Sequence, residues 1–230
     1  ALADRGWSLR VGIEPEFYLL KRDGARLVAA DAQDGLDAAA YDLKTLPRQL
    51  PFLRDLQDAL ERCGVDLTQI DHEDGQGQFE LNFSPADALH AADQLMLVKL
   101  AAQAIAERHG MLFSLMPKPF TDQPGCGMHF HLSMWQGSGG DAKCLFTPHL
   151  PDGAADRSRT LSTRGMFFAA GVLDHAAALC ALGAPTVNSY KRLVPGYEAP
   201  TAIAWSAKNR SPLVRVPAPR GTGTRIELRT

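Results

Sequence analysis

Residues 9–20 alternate, with Leu9, Val11, Ile13, Phe17 and Leu19 on one side of an extended chain and Arg10, Gly12, Glu14, Glu16 and Tyr18 on the other. That two-residue period predicts a half-buried strand on which Glu14 and Glu16 share a face. Over 51–64 the period changes: Phe52, Leu53, Leu56, Ala59 and Leu60 recur at helical spacing, Pro51 suits the first turn and Gly64 the stop. Residues 65–70 and 78–83 predict two strands around a polar, glycine-containing turn, the second setting Gln78, Glu80 and Asn82 against Phe79, Leu81 and Phe83. A long helix is expected over 85–109, with Ala88, Leu89, Ala92, Leu95, Met96, Leu100 and Ile105 as its apolar stripe and Gly110 as its end.

Residues 111–116 predict a further strand. After a Pro/Gly loop over 117–127 another should place His129, His131, Ser133 and Trp135 on one face and Met128, Phe130, Leu132 and Met134 on the other. Residues 136–159, rich in Gly, Pro and Asp, predict a long surface loop, and the Ala-rich stretch 161–182 a single helix up to Gly183. The remainder is expected to be loop and strand. In it, residues 213–217 and 224–229 alternate, the second showing Arg225, Glu227 and Arg229 on one face.

Composition narrows the function. With 230 residues, 45% of them hydrophobic, the chain can bury a sizeable core in one domain. A formal charge of -2 gives no reason to expect nucleic acid or an anionic membrane as partner. No apolar run approaches the roughly 20 residues that span a bilayer, and no basic-then-apolar start marks a secretory signal, so the expected setting is cytoplasmic. Cys63, Cys126, Cys144 and Cys180 form no CxxC pair, which argues against a zinc knuckle or a disulfide framework.

Four strands therefore carry polar faces made of carboxylate, imidazole or guanidinium groups. Arg10 and Lys21 fit ordinary solvated charge. If the strands lie side by side, Glu14, Glu16, Glu73, Glu80, Glu227 and His129 converge, and such a cluster repels itself unless cations occupy it. Magnesium and manganese suit carboxylate oxygen and accept a single imidazole; the pair His129 and His131, with no third histidine or cysteine near, fits zinc poorly. Arg192, Arg210, Arg215, Arg225 and Arg229 crowd toward the C-terminus, and guanidinium forks match phosphate and carboxylate. Metal-binding carboxylates with arginines are what phosphoryl transfer from ATP needs, yet there is no GxxxxGK[ST] loop.

Several motifs, in order, carry a resemblance. They are Ile13-Glu14-Pro15-Glu16-Phe17; Asp71-His72-Glu73 with Gly77-Gln78-Phe79-Glu80; Met116-Pro117-Lys118-Pro119; Gly127 through Ser133; Asn188 through Pro200; and Asn209-Arg210-Ser211-Pro212. On these the chain resembles the catalytic domain of glutamine synthetases over nearly its whole length. The resemblance implies an α+β fold, a curved antiparallel sheet forming an active-site funnel flanked by helices, with subunits in rings. It implies Glu16, Glu73 and Glu80 as ligands of a first metal and Glu14, His129 and Glu227 of a second, with Mg2+ or Mn2+ as the ion. Arg192 and Arg229 would hold the glutamate carboxylates and the loop at Gly125 its amino group. Arg210 and Arg215 would face the transferred phosphoryl, and His131, Ser133 and Arg225 would contact ATP. Glu198, on a flap, would join Tyr41 and Glu73 in binding and deprotonating the amine. The expected reaction joins ammonia to the γ-carboxylate of L-glutamate through γ-glutamyl phosphate.

Three departures qualify that expectation. Pro124-Gly125-Cys126-Gly127 stands where the family usually has Asn-Gly-Ser-Gly, with Cys126 read as a loop substitution rather than a nucleophile. The family's small N-terminal domain and its C-terminal continuation are missing from residues 1–230, so the chain is expected to be a piece of the catalytic domain, inactive alone. Tyr41-Asp42-Leu43-Lys44, Asp71-His72-Glu73-Asp74 and Ala86-Asp87-Ala88-Leu89 resemble the subgroup that includes γ-glutamylmethylamide synthetases, which leaves methylamine or another small amine as the alternative acceptor. A non-catalytic relative that binds glutamate or nucleotide for regulation is the reading from another class.

Overall fold

The computed structural model describes residues 2–36, 40–148, 160–196, 199–218 and 223–230. Strand β1 (Trp7–Asp23) is its spine, followed by β2 (Arg26–Ala29), α1 (Leu50–Arg62), β3 (Leu67–His72), β4 (Gln78–Phe83), β5 (Ala86–Asp87), α2 (Ala88–Arg108) and β6 (Leu112–Ser114). Then come β7 (Met128–Gln136), β8 (Lys143–Cys144), α3 (Thr163–Asp174), α4 (Ala176–Gly183), α5 (Val187–Arg192), β9 (Ala202–Ser206), β10 (Pro212–Arg215) and β11 (Ile226–Arg229). One sheet runs in the order β3-β4-β1-β7-β11-β10-β9, and β2, β5 and β6 also pair with β1. The result is an α+β fold, antiparallel except where β9 runs parallel to β10.

Register explains why polar residues from distant parts of the chain meet. Opposed residues of an antiparallel pair project from the same face. Glu16 lies opposite Glu80, Glu14 opposite His129, His129 opposite Arg229, His131 opposite Glu227, and Glu227 opposite Arg215. One face thus gathers the acids, the imidazoles and two arginines. The other face of β1 and β4 packs Phe17, Leu19, Phe79 and Leu81 against Phe52, Leu56 and Leu60 of α1 and Val98 and Ala102 of α2. Phe17 is fully buried, its ring centroid 5.8 Å from that of Phe79 and 4.9 Å from that of Phe113. A second cluster, Met134, Phe146, Val214, Val216 and Ile226 with Ala169 of α3, closes the far end of the sheet.

The structure corrects several expected elements. The helix expected from residue 85 starts at Ala88, because Ala86 and Asp87 pair with Val11 and Arg10 and Asp87 then caps the helix by accepting from the Leu89 amide. Its buried face is Ala91, Gln94, Val98, Ala102, Ile105 and Ala106, while Leu89, Met96 and Leu100 are exposed. Apolar residues surround most of this helix, and the side that packs is the one whose small alanines let the backbone approach its neighbours; of the expected stripe, Ile105 is buried and Ala88 and Leu95 pack against the core, while Leu89, Ala92, Met96 and Leu100 are exposed. The single helix over 161–182 is broken at His175 into α3 and α4, bent by 67°. Within 136–159, β8 pairs with β7 and Phe146 is fully buried, so the stretch up to Pro148 is anchored rather than a free loop; 149–159 lie outside the described residues. Helix α5, with a Thr186/Ser189 capping box, arises where mostly loop and strand were expected, and strand β9 agrees with that expectation.

Candidate active site

His129 is the hinge of the polar face. Its Nδ1 lies 3.7 Å from Glu14 and 3.8 Å from Glu227, and its Nε2 lies 3.8 Å from Glu16. Two ligand groups follow, Glu14–His129–Glu227 and Glu16–Glu80–His129, each with ligand atoms within 4.8 Å of one another. The first is the set expected for one metal. The second contains Glu16 and Glu80 of the other expected set, but Glu73 is in neither group: it lines the adjoining cleft with Glu16, Gln78, Gly125, Arg192 and Ala199.

The electrostatics fit divalent cations. Glu80 is pushed up to about 8, chiefly by burial and then by Glu14 and Glu16, with the amide of Asn82 pulling the other way. Burial also works against ionised Glu14 and Glu227, but in both cases His129 and His131 outweigh it, helped at Glu227 by Arg215 and Arg229, and both carboxyls are held below their ordinary range. Oxygen-rich donors, one imidazole whose buried Nε2 makes no hydrogen bond, and a carboxyl that burial and its acidic neighbours keep protonated at neutral pH match the donor set of Mg2+ or Mn2+. The Nη1 of Arg229 donates to Glu227 at 2.7 Å, and the Nε of Arg215 donates to its other oxygen. With exposed Arg210, Tyr41 and Glu73 these residues line a cavity of about 210 Å³.

His131, Ser133 and Arg225 line one neighbouring groove of about 350 Å³, which shares Glu14 with the acidic cavity. Arg225 Nε donates to His131 Nδ1 at 2.8 Å, which puts the imidazole proton on Nε2, 2.6 Å from Glu14. Ser133 accepts from the Trp135 indole at 2.9 Å. Arg10 does not behave as solvated surface charge: its guanidinium stacks 4.1 Å from the Trp135 ring centroid, inside this groove. Its place on the same strand face as Glu14 was the signal.

The loop before β7 depends on glycine. A Cβ on Gly127 would stand 2.6 Å from Arg192 Nη2 and 2.9 Å from His129 Nε2, and one on Gly125 would stand 2.4 Å from the Pro117 carbonyl. Gly127 N–H donates to Glu16 at 2.8 Å. Gln78, buried at the start of β4, donates to Glu16 at 3.2 Å and to the Gly125 carbonyl at 3.1 Å while accepting from Gly75 N–H at 2.9 Å. Tyr18 donates to the Pro124 carbonyl at 2.7 Å. Cys126 turns into a cluster with Tyr18 and Leu20, and burial, with Glu16 nearby, raises its thiol well above the ordinary value, as for a packed thiol rather than an activated one. Arg192 is buried beside this loop. Glu198 lies outside the described residues.

A mixed sheet that gathers five acid and imidazole side chains beside an arginine-lined cavity offers a donor set that could hold divalent cations next to groups that match phosphate. Residues 1–230 match the family model "Glutamine synthetase, catalytic domain", and the chain belongs to that family. It is 42% identical over 231 residues to the glutamate–methylamine ligase of Methyloversatilis universalis, covering 98% of this chain and 49% of that protein. It is 44% identical over 225 residues to a glutamine synthetase of Methanococcus maripaludis, covering 97% and 47%. Among solved structures it is similar to a GmaS/ADP complex, with a TM-score of 0.83, 36% identity and coverage of 98% of this chain and 50% of that one. The chain spans about half the length of the curated relatives it matches.

Proposed function

We propose that this chain carries the metal, phosphate and acceptor sites of an ATP-dependent ligase that joins an amine to the γ-carboxylate of L-glutamate. The observation that carries the reading is the pair of ligand groups sharing His129, set beside Arg192, Arg210, Arg215 and Arg229. Glu14, Glu16, Glu80, Glu227 and His129 would hold two divalent cations, with Glu73 at the margin. When bound, such cations neutralise phosphate oxygens and polarise the γ-phosphorus.

The remaining residues divide the work. His131, Ser133 and Arg225 orient the nucleotide in its groove. Arg192 and Arg229 receive the glutamate carboxylates, and the Gly125 carbonyl its amino group. A γ-carboxylate oxygen attacks the γ-phosphorus, the bond to ADP breaks, and Arg210 and Arg215 offset charge on the moving phosphoryl. The amine then attacks the acyl carbon of γ-glutamyl phosphate and phosphate leaves. Burial, followed by Glu73 and Asp71, raises the Tyr41 phenol above its ordinary value. The negative charge of Glu73 and Asp71, the smaller part of that shift, favours an ammonium ion at the same place, where Glu73, with Glu198 as the second acid, takes its proton.

Ammonia is the first reading for the acceptor and a small alkylamine the second, favoured by the likeness to a glutamate–methylamine ligase. A pocket that tolerates a methyl differs from one that does not by only ~1–3 kcal/mol. No single described helix is long and apolar enough to cross a membrane; for a cytoplasmic setting the support is membership of the glutamine synthetase family. A homo-oligomer remains part of the proposal, and Leu89, Phe167, Leu182, Val187 and Ile203 are exposed apolar side chains that such an assembly would have available to cover. Phosphate release by the whole protein, with magnesium, ATP and glutamate and with ammonium, methylamine or ethylamine in turn, decides among the readings. Fastest release with ammonium selects glutamine formation, fastest with an alkylamine selects the γ-glutamylamide, and none with any acceptor overturns the ligase reading in favour of a regulatory relative.

A further inference from the structure

Tyr41 and Glu73 both stand outside regular structure. Glu73 follows β3 in the turn to β4, and Tyr41 lies beside it with φ 64°, the left-handed region that a tyrosine seldom adopts. Its backbone N–H donates to the His72 carbonyl at 2.8 Å. The His72 side chain points the other way, into the protein, where its Nε2 lies 2.9 Å from Asp34 Oδ2; neither side chain has any exposure. The same Asp34 oxygen accepts from Gly77 N–H at 2.5 Å, and the His72 ring stands edge-on to Phe79, 5.1 Å between centroids. Asp34 therefore grips both ends of the turn that carries Glu73, and the residue it holds through the side chain holds Tyr41 through the backbone. A second tie, Ala40 N–H to Asp74 Oδ1 at 3.1 Å, joins the same two segments.

Burying an aspartate and a histidine removes two polar groups from water, and an apolar pair of the same size would fill the space without that cost. What the polar pair adds is direction, because a hydrogen bond fixes the rotation of the ring and with it the course of the backbone at 72. We infer that Asp34 and His72 are positioning residues for the acceptor amine: they hold Tyr41 in its left-handed conformation and Glu73 on its turn, and so set affinity for the amine without touching it. The inference rests on the ligase reading of the site.

Asn and Gln replacements separate direction from polarity. The amide nitrogen of glutamine reaches about as far as Nε2 of histidine, and that of asparagine only as far as Nδ1. In the whole protein, His72→Asn should raise KM for the amine by about tenfold or more while KM for ATP and for glutamate stay within about twofold, and His72→Gln should stay within about threefold of wild type on all three. Asp34→Asn, which keeps the size and loses the charge, should show the same split at smaller amplitude and serves if His72→Asn does not fold. Amide hydrogen exchange should show Tyr41 and Gly77 deprotected in His72→Asn and protected in His72→Gln. An equal rise in all three KM values, an unchanged amine KM, or unchanged protection of Tyr41 would overturn the inference. A wild-type protein silent with every amine would instead sink the ligase reading, and the exchange measurement would still decide whether the pair holds the turn.

Discussion

Replacing Glu80 by glutamine perturbs the carboxyl that the acidic face can least afford to ionise. In the cation-free protein its pKa stands at about 8 against an ordinary 4.5, so the side chain keeps its proton at neutral pH. The unfolded chain gives that proton up near 4.5 and the folded one near 8. The contribution of Glu80 to stability is therefore fully present below pH 4.5 and is lost as pH rises through 8. At about 1.4 kcal/mol for each pK unit, the loss amounts to about 3 kcal/mol by pH 7 and approaches about 5 kcal/mol above pH 8. Glu80→Gln should accordingly stabilise the cation-free protein by up to about 3 kcal/mol at pH 7, with no gain below pH 4.

The same proton must leave when a cation enters between Glu16, Glu80 and His129. Calorimetric titration of Mg2+ or Mn2+ in buffers of different ionisation enthalpy counts it. About one proton should be released for each cation bound at this group at pH 7, falling toward none by pH 9, and Glu80→Gln should lose both the proton and most of the affinity. A wild-type titration at pH 7 that releases no proton, or a Gln variant that binds as tightly as wild type, would refute the reasoning.

Two further expectations test the loop and the core. Gly127→Ala puts a methyl 2.6 Å from Arg192 Nη2 and 2.9 Å from His129 Nε2, so KM for glutamate should rise by about tenfold or more with a melting temperature close to wild type; an unchanged KM would mean that the guanidinium has room to retreat. Phe17→Ala empties a fully buried site between Phe79 and Phe113 and should cost about 3–5 kcal/mol in urea unfolding, whereas a loss under about 1 kcal/mol would show that the α1–α2 layer collapses onto the gap.

Much of the acidic face was legible before the fold because strand periodicity is a local property. Glu14 and Glu16 must share a face of β1 whatever it pairs with, as must Gln78 and Glu80 on β4 and Glu227 and Arg229 on β11. What periodicity does not contain is the placement of residues in turns, and Glu73, in the turn after β3, is not in the group formed by Glu16, Glu80 and His129. Only part of the buried face of α2 is legible: Ile105 lies in the expected stripe and is buried, but Leu89 and Leu100 are exposed although larger than Ala91 and Ala102, which face the core. Asp34 carried no signal, and His72 stood in the Asp71-His72-Glu73 motif without a role of its own, since the two are 38 residues apart and meet only through tertiary packing. Arg10 was legible in principle, being of the same strand parity as Glu14, but its partner Trp135 lies on another strand.

The central claim is that a glutamate oxygen attacks ATP and later departs with phosphate. The whole protein, given glutamate labelled with 18O in the γ-carboxylate together with ATP, Mg2+ and its best amine, should release phosphate containing one 18O per turnover, read from the isotope shift in 31P NMR. Unlabelled phosphate, produced in step with ADP, would mean that water attacks ATP at this site and would contradict the acyl-phosphate route.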